Sequence, residues 1–265
     1  MKLLTTLLML VSLSAFGENA LEIMKKAEKA SYYQGNDGMG QMLMKVYSSK
    51  GASAIKKMFY MLRINDGTDG KQRFFTYFTS PSDIKRTTFL VHKYVNKDDY
   101  RRLYIPSSDK VIAIAGSRKQ DPFMGSDFAY EDVSGRNIHH DNHKFLGKAS
   151  IDGTECFMLE STPMKKYAAN DKYSKIKAWI GVADSLPRKV EYYNKAGKLW
   201  KVYTSHKIKT IGGFPTILKR TMKTVTTGTY TDILVNPKKV KYNQGFKKDM
   251  FTERSLKNPP MKYLK

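Results

Sequence analysis

Apolar residues recur first at three-residue steps and then at every second position. Over residues 19–33, Leu21, Met24, Ala27 and Ala30 follow the first period with lysines between them, which predicts an amphipathic helix capped by Asn19. The glycines of 35–40 end it. Segments 41–47, 55–64, 71–78, 87–94 and 100–105 then read as strands, rich in Val, Ile, Phe, Tyr and Thr. A second set covers 143–149, 155–160, 175–180, 188–193, 199–208, 215–225 and 229–235. Asp69-Gly70, Asp152-Gly153, Lys195-Ala196-Gly197 and Gly212-Gly213 supply hairpin turns. About a dozen strands joined this way predict a mostly β fold with a few helices, built on an antiparallel sheet. Residues 107–135 interrupt the meander as a long crossover with short helical pieces. Residues 247–256 read as another helical turn or two, and 257–265 as a tail that frays.

The two halves of the pattern differ. In 216–225, Lys219, Thr221 and Lys223 share a face, so the later strands read as partly solvated. The earlier strands are apolar on both sides: Phe74 and Phe78 oppose Phe75 and Tyr77, and Phe89 and Val91 oppose Leu90. Both faces there need a cover. A curved sheet wrapped around a helical plug or a ligand meets that need, and so does a large packed core. Met39, Met42, Met44, Met58 and Met61 lie on or beside the first strands, where methionine suits a lining that adapts to varied apolar shapes.

Residues 1–17 have the layout of a cleavable secretory signal peptide: Lys2, an apolar stretch from Leu3, then Ala15 and Gly17 before the cleavage point. The expected mature chain is one domain over 18–256, exported to the periplasm as a soluble protein. A single cysteine, Cys156, excludes a disulfide framework within the chain. The net charge of +23 raises anionic partners, but lysines are spread over nearly every segment and no nucleic-acid motif is present. A dispersed positive surface suits transient contact with anionic lipid headgroups or an acidic protein, or simple solubility.

Catalytic and metal signals are weak. No GxGxxG, Walker loop, HExxH or GxSxG is present. His139, His140 and His143 match no standard ligand spacing, so neither a metal nor a cofactor is expected. Asp127, Glu131 and Asp132 form a carboxylate group without a nucleophile or metal beside it, and the chain does not read as an enzyme. Capping of a turn by Ser126 or Asp127, docked by Phe123, Phe128 and Tyr130, is the structural alternative.

Several blocks carry a family resemblance: FTSPSDIKRTTFL (78–90), YRRLYIP (100–106), Ser117-Arg118, FMGSDF (123–128) with YED (130–132), CFMLE (156–160), KAWI (177–180), PRKVEYY (187–193) and GKL (197–199). In this order they resemble the outer membrane lipoprotein-sorting protein family, a branch of the LolA-like superfamily, over residues 20–256. The resemblance implies a strongly curved antiparallel sheet, an incomplete β-barrel plugged by helices. It also implies a carrier that shields acyl chains of a lipid or lipoprotein across the periplasm, working with an inner-membrane exporter of the resistance-nodulation-division (RND) type. A regulator that senses lipids or lipoproteins with the same half-barrel is the alternative.

On this reading the lipid-binding face comprises Met42, Met44, Phe59, Met61, Phe75, Tyr77, Phe89, Val91 and Leu103. A one-residue error in register would invert that set. Phe123, Met124, Gly125, Ser126, Asp127 and Phe128 are the candidate lid or partner contact, with Gly125 free to adopt a conformation other residues resist.

Overall fold

The computed structural model describes residues 19–51, 54–67 and 70–264. The signal-peptide reading of 1–17 and Asp69 of the first turn lie outside these. Helix α1 spans Ala20–Tyr32, and the Asn19 side chain accepts the Leu21 N–H at 3.0 Å. Five long or medium strands follow: β1 (Asp37–Tyr47), β2 (Ala54–Asn65), β3 (Gln72–Ser80), β4 (Thr88–Lys93) and β5 (Tyr100–Ile105), with a short β6 (Lys110–Ala113). A crossover of 3-10 turns then leads to β7 (Asp141–Ile151) and β8 (Thr154–Pro163). After the short helix α2 (Lys165–Ala168) come β9 (Tyr173–Gly181), β10 (Pro187–Asn194), β11 (Leu199–Ile211), β12 (Phe214–Thr224) and β13 (Tyr230–Val235). The two-residue β14 (Lys241–Tyr242) and helix α3 (Glu253–Lys257) complete the chain. All twelve strand segments expected from the sequence form. The short β6 and β14 were not anticipated, because neither is long enough to show a period.

The strands make one antiparallel sheet in the order β6-β5-β4-β3-β2-β1-β13-β12-β11-β10-β9-β8-β7, with β14 added beside β1. The chain thus runs outward from β1 to β6, crosses to the far edge at β7, and returns strand by strand until β13 pairs with β1. The edges β6 and β7 are not paired, so the sheet stays open. The crossover runs across its concave side.

Register decides which side each apolar residue covers. Met42 stands opposite Phe59 and Val235, and Phe59 opposite Phe78. On this inner face Met44, Phe59, Phe74, Phe78, Phe89, Val91 and Leu103 pack with Phe123, Tyr130 and Val133 of the crossover. The outer face carries Tyr60, Leu62, Ile64, Phe75, Tyr77, Leu90 and Tyr104. Phe246, Phe251, Leu256 and Leu264 of the C-terminal segment lie over them. Thr88 Oγ1 donates to the Leu256 carbonyl at 2.8 Å, and a His92 ring nitrogen meets the Phe251 carbonyl at 2.7 Å. The double apolarity of the early strands therefore has two protein covers: the crossover inside and the C-terminal segment outside. Residues 257–264, expected to fray, take part in the outer cover, where Leu264 is buried.

The later strands use α1. Its Ile23 and Ala27 pack against Leu159, Ala178 and Ile180 on the inner face. Their outer face is polar: Lys189 lies over the Trp179 ring and pairs with Glu191, and Lys175 lies over Tyr193. This is a sheet with core on one side and water on the other.

Candidate functional site

Between α1, the inner sheet face and the underside of the crossover lies a cavity of about 290 Å³, at the small end of the range for ligand clefts. Its wall is mainly apolar. α1 contributes Met24 and Ala27, β1 and β2 contribute Met42, Phe59 and Met61, and the crossover contributes Phe123 and Phe128. The opposite wall is built from Ile176, Ala178, Val190, Tyr192, Tyr203, Ile233 and Val235 of the later strands.

Of the nine residues expected to bind lipid, Met42, Phe59 and Met61 stand on this wall. Met44, Phe89, Val91 and Leu103 share their face but are buried beneath the crossover, where Phe89 meets Phe123 and Tyr130 at ring separations of 5.4 and 5.3 Å. Phe75 and Tyr77 point the other way, into the outer cluster. That is a correction. Alternating strands with both faces apolar look the same in either orientation, and only the C-terminal segment tells the faces apart.

The FMGSDF block is a buried plug rather than a surface lid. Phe123 and Phe128 line the cavity, and Ser126 Oγ donates to the Phe123 carbonyl at 2.7 Å. Met124 and Gly125 make the bend with φ of 51° and 70°, a region that favours glycine. Only Gly125 of the block is exposed, and Lys57 donates to the Met124 carbonyl. Asp127 is clasped by strands on the far side of the sheet. Its carboxylate accepts the hydroxyls of Thr224 and Thr229 at 2.6 Å and of Thr231 at 2.7 Å, and its carbonyl accepts Lys201 Nζ at 2.6 Å. A carboxylate so fully occupied by hydroxyl donors holds structure.

Polar groups gather at one end of the wall. Arg136 pairs with Asp141 at 2.6 Å and with Asp171 at 2.5 Å, and Gln120 bridges Glu131 and Asp171. Burial disfavours the Asp171 charge, but Arg136 beside it holds the carboxyl below its usual range. Asp132 has no such cation in contact. Burial pushes its carboxyl up to about 6, although it accepts the Ala129 N–H at 2.7 Å. Arg220 projects from β12 into the cavity, and its buried Nε has no acceptor.

The histidine run is used elsewhere. His140 stacks on Tyr167 at 3.7 Å, while His143 bonds Ser161 and the Ile138 carbonyl, both at 2.7 Å. Among the described residues no three His, Cys, Asp or Glu side chains converge as a metal site, and no helix is long and apolar enough to cross a membrane.

The later-strand wall and the place of α1 on the cavity were not expected from the sequence. Their signals were present: an apolar helical stripe must face something, and Arg220 sits two residues from Met222 on one strand face.

A family model described as an uncharacterized protein matches residues 70–258. No curated protein matches the chain. Among solved structures, a domain from Vibrio parahaemolyticus described as an outer membrane lipoprotein-sorting protein superposes with a TM-score of 0.81 at 27% identity, covering 90% of this chain and 98% of that one. A DUF1329 family protein from Desulfovibrio piger gives 0.82 at 24% identity, with 89% and 97% covered. A LolA superfamily protein from Nitrosomonas europaea gives 0.67 at 17% identity, with 89% and 98% covered. An open antiparallel sheet of the LolA-like type is the fold shared with these structures, and over residues 70–258 the chain belongs to the family of uncharacterized proteins whose model it matches.

Proposed function

We propose that the chain is a periplasmic carrier that shields the acyl chains of a lipid or lipoprotein in its concave cavity during transport between membranes. The observation that carries this reading is the apolar cavity itself, walled by α1, the inner sheet face and the crossover. Each methylene moved from water onto such a wall gains about 0.8 kcal/mol, so a single chain supplies enough drive for capture. The signal-peptide layout of 1–17 supports an exported site of action. The Vibrio relative is named for lipoprotein sorting, which supports the cargo class.

Release requires the wall to open. Both covers of that wall are held in place, α1 by the packing of Ile23 and Ala27 and by the Glu28–Lys93 pair, and the crossover by Asp127. An inner-membrane exporter of the RND type is the proposed partner for loading, and anionic headgroups attract the dispersed lysines for transient surface contact.

The direct test is to purify the mature protein from a periplasmic extract without detergent and record its native mass. A retained mass that extracts into organic solvent supports the carrier. A bare polypeptide, unchanged after incubation with membrane lipids, overturns it.

A further inference from the structure

Most of the charged wall of the cavity is paired internally. Arg63 donates to the Gln34 carbonyl and to Asn65, and Arg136 is held by Asp141 and Asp171. Glu28, the acidic wall residue on α1, is bound by Lys93 at 2.7 Å. Arg220 differs. It makes no hydrogen bond or ion pair among the described residues, and its Nε is buried without an acceptor. Its strand neighbours are Ser205 and Ile233, neither of which can neutralise it.

An uncompensated charge at an apolar wall is costly. A guanidinium presents a planar fork of donors that matches a carboxylate or phosphate in two parallel hydrogen bonds. We propose that Arg220 is the anchor for the anionic head of the bound amphiphile, with the acyl chain lying between Met42 and Met61 on one side and Ile233 on the other. This rests on the carrier reading and names its ligand class: a single anionic head, carboxylate or phosphate, on an apolar tail.

The surroundings support it. Tyr32 and Tyr203 line the same cavity, and burial raises both phenols, so they stay protonated; the Tyr32 hydroxyl donates to the Asp132 carbonyl at 3.4 Å. The charge of Arg220 opposes that rise in each, which places it within electrostatic reach of both rings. Asp132 is the acidic group on this wall without a cationic contact. It keeps its own donor, the Ala129 N–H, and leaves Arg220 unpaired.

The test compares three ligands with the same chain, oleate, oleyl phosphate and oleyl alcohol, against the wild-type mature protein, Arg220→Gln and Arg220→Lys. The readout is displacement of a fluorescent fatty acid, with a thermal melt of each variant. The expected wild-type preference for either anion over the alcohol is about tenfold or more, the size of a charge-assisted pair. Arg220→Gln should bind all three alike, and Arg220→Lys should keep part of the preference. Inorganic phosphate at millimolar concentration should not displace the probe, which separates an amphiphile site from a small-anion site.

Equal binding of the anions and the alcohol by wild type leaves the carrier intact and overturns the anchor. An unchanged preference in Arg220→Gln overturns it as well, as does displacement by inorganic phosphate alone. Failure of all three ligands to bind wild type overturns the carrier reading itself.

Discussion

Asp127 and Thr231 close a two-bond ring across the concave side of the sheet: the Asp127 N–H donates to Thr231 Oγ1 at 3.0 Å, and that hydroxyl donates back to Asp127 Oδ2 at 2.7 Å. The residues are far apart in sequence, one in the crossover and one in β13. Their contact fastens the plug to the later half of the sheet, where Phe128 also packs against Tyr203 and Met222.

Removing that latch should be costly. Asp127→Ala leaves three threonine hydroxyls and the Thr231 ring without their shared acceptor. Hydrogen bonds to a charged acceptor contribute about 1.5–3 kcal/mol each and are not additive. We expect a loss of about 3 kcal/mol in chemical denaturation, and a loss below about 1 kcal/mol would show that the latch is dispensable.

Asp132 gives the fold a pH dependence whose sign is fixed by burial. Its carboxyl sits at about 6 in the folded chain against an ordinary 3.8. Between those values the folded protein keeps a proton that the unfolded chain has released. The stability from this group is therefore fully present below 3.8 and lost as pH rises through about 6. Asp132→Asn keeps an acceptor for the Ala129 N–H without the charge. Its melting temperature should exceed wild type near neutral pH, and the gap should close toward about pH 4. A gap independent of pH would contradict the burial argument.

The C-terminal segment is a structural cover, and its loss should separate stability from binding. Phe251 is fully buried against the outer face, beside Phe246 and Leu256. Phe251→Ala should cost about 3–5 kcal/mol. Ligand affinity below the melting transition should stay unchanged, because the cavity lies on the other side of the sheet. A parallel loss of affinity would show that the two faces are coupled.

The strands and the helix were legible because their periods are long and their turns chemically explicit. Asn19, the Leu21 to Ala30 stripe and the Val, Ile and aromatic runs each state one local preference. The concave face was not legible, for a reason visible in Phe74 and Phe75. Consecutive apolar residues satisfy a strand in either orientation, and the choice is made by Phe123 from the crossover and Phe246 from the C-terminal segment. Neither segment carries a period that names its target. Half of the cavity wall was hidden likewise, because Ile176 and Val190 alternate with lysines and a glutamate and read as a wet sheet. The FMGSDF block stood out as distinctive, but the sequence did not show whether it was exposed. Asp127, through three threonines on two strands and a turn, draws it inside together with the packing of Phe123 and Phe128.

The central claim is that the cavity between α1 and the sheet holds an acyl chain. Met61 and Val190 line opposite walls and are only partly buried, so a larger side chain at either fills the space with little strain on the core. The decisive measurement is titration of a fluorescent fatty acid into the wild-type mature protein, Met61→Trp and Val190→Trp, with melting temperatures recorded beside it. Saturable one-site binding by wild type is expected, with affinity about tenfold or more weaker in both variants at near-equal stability. Binding by the filled variants as tight as by wild type, or none by wild type, would contradict it.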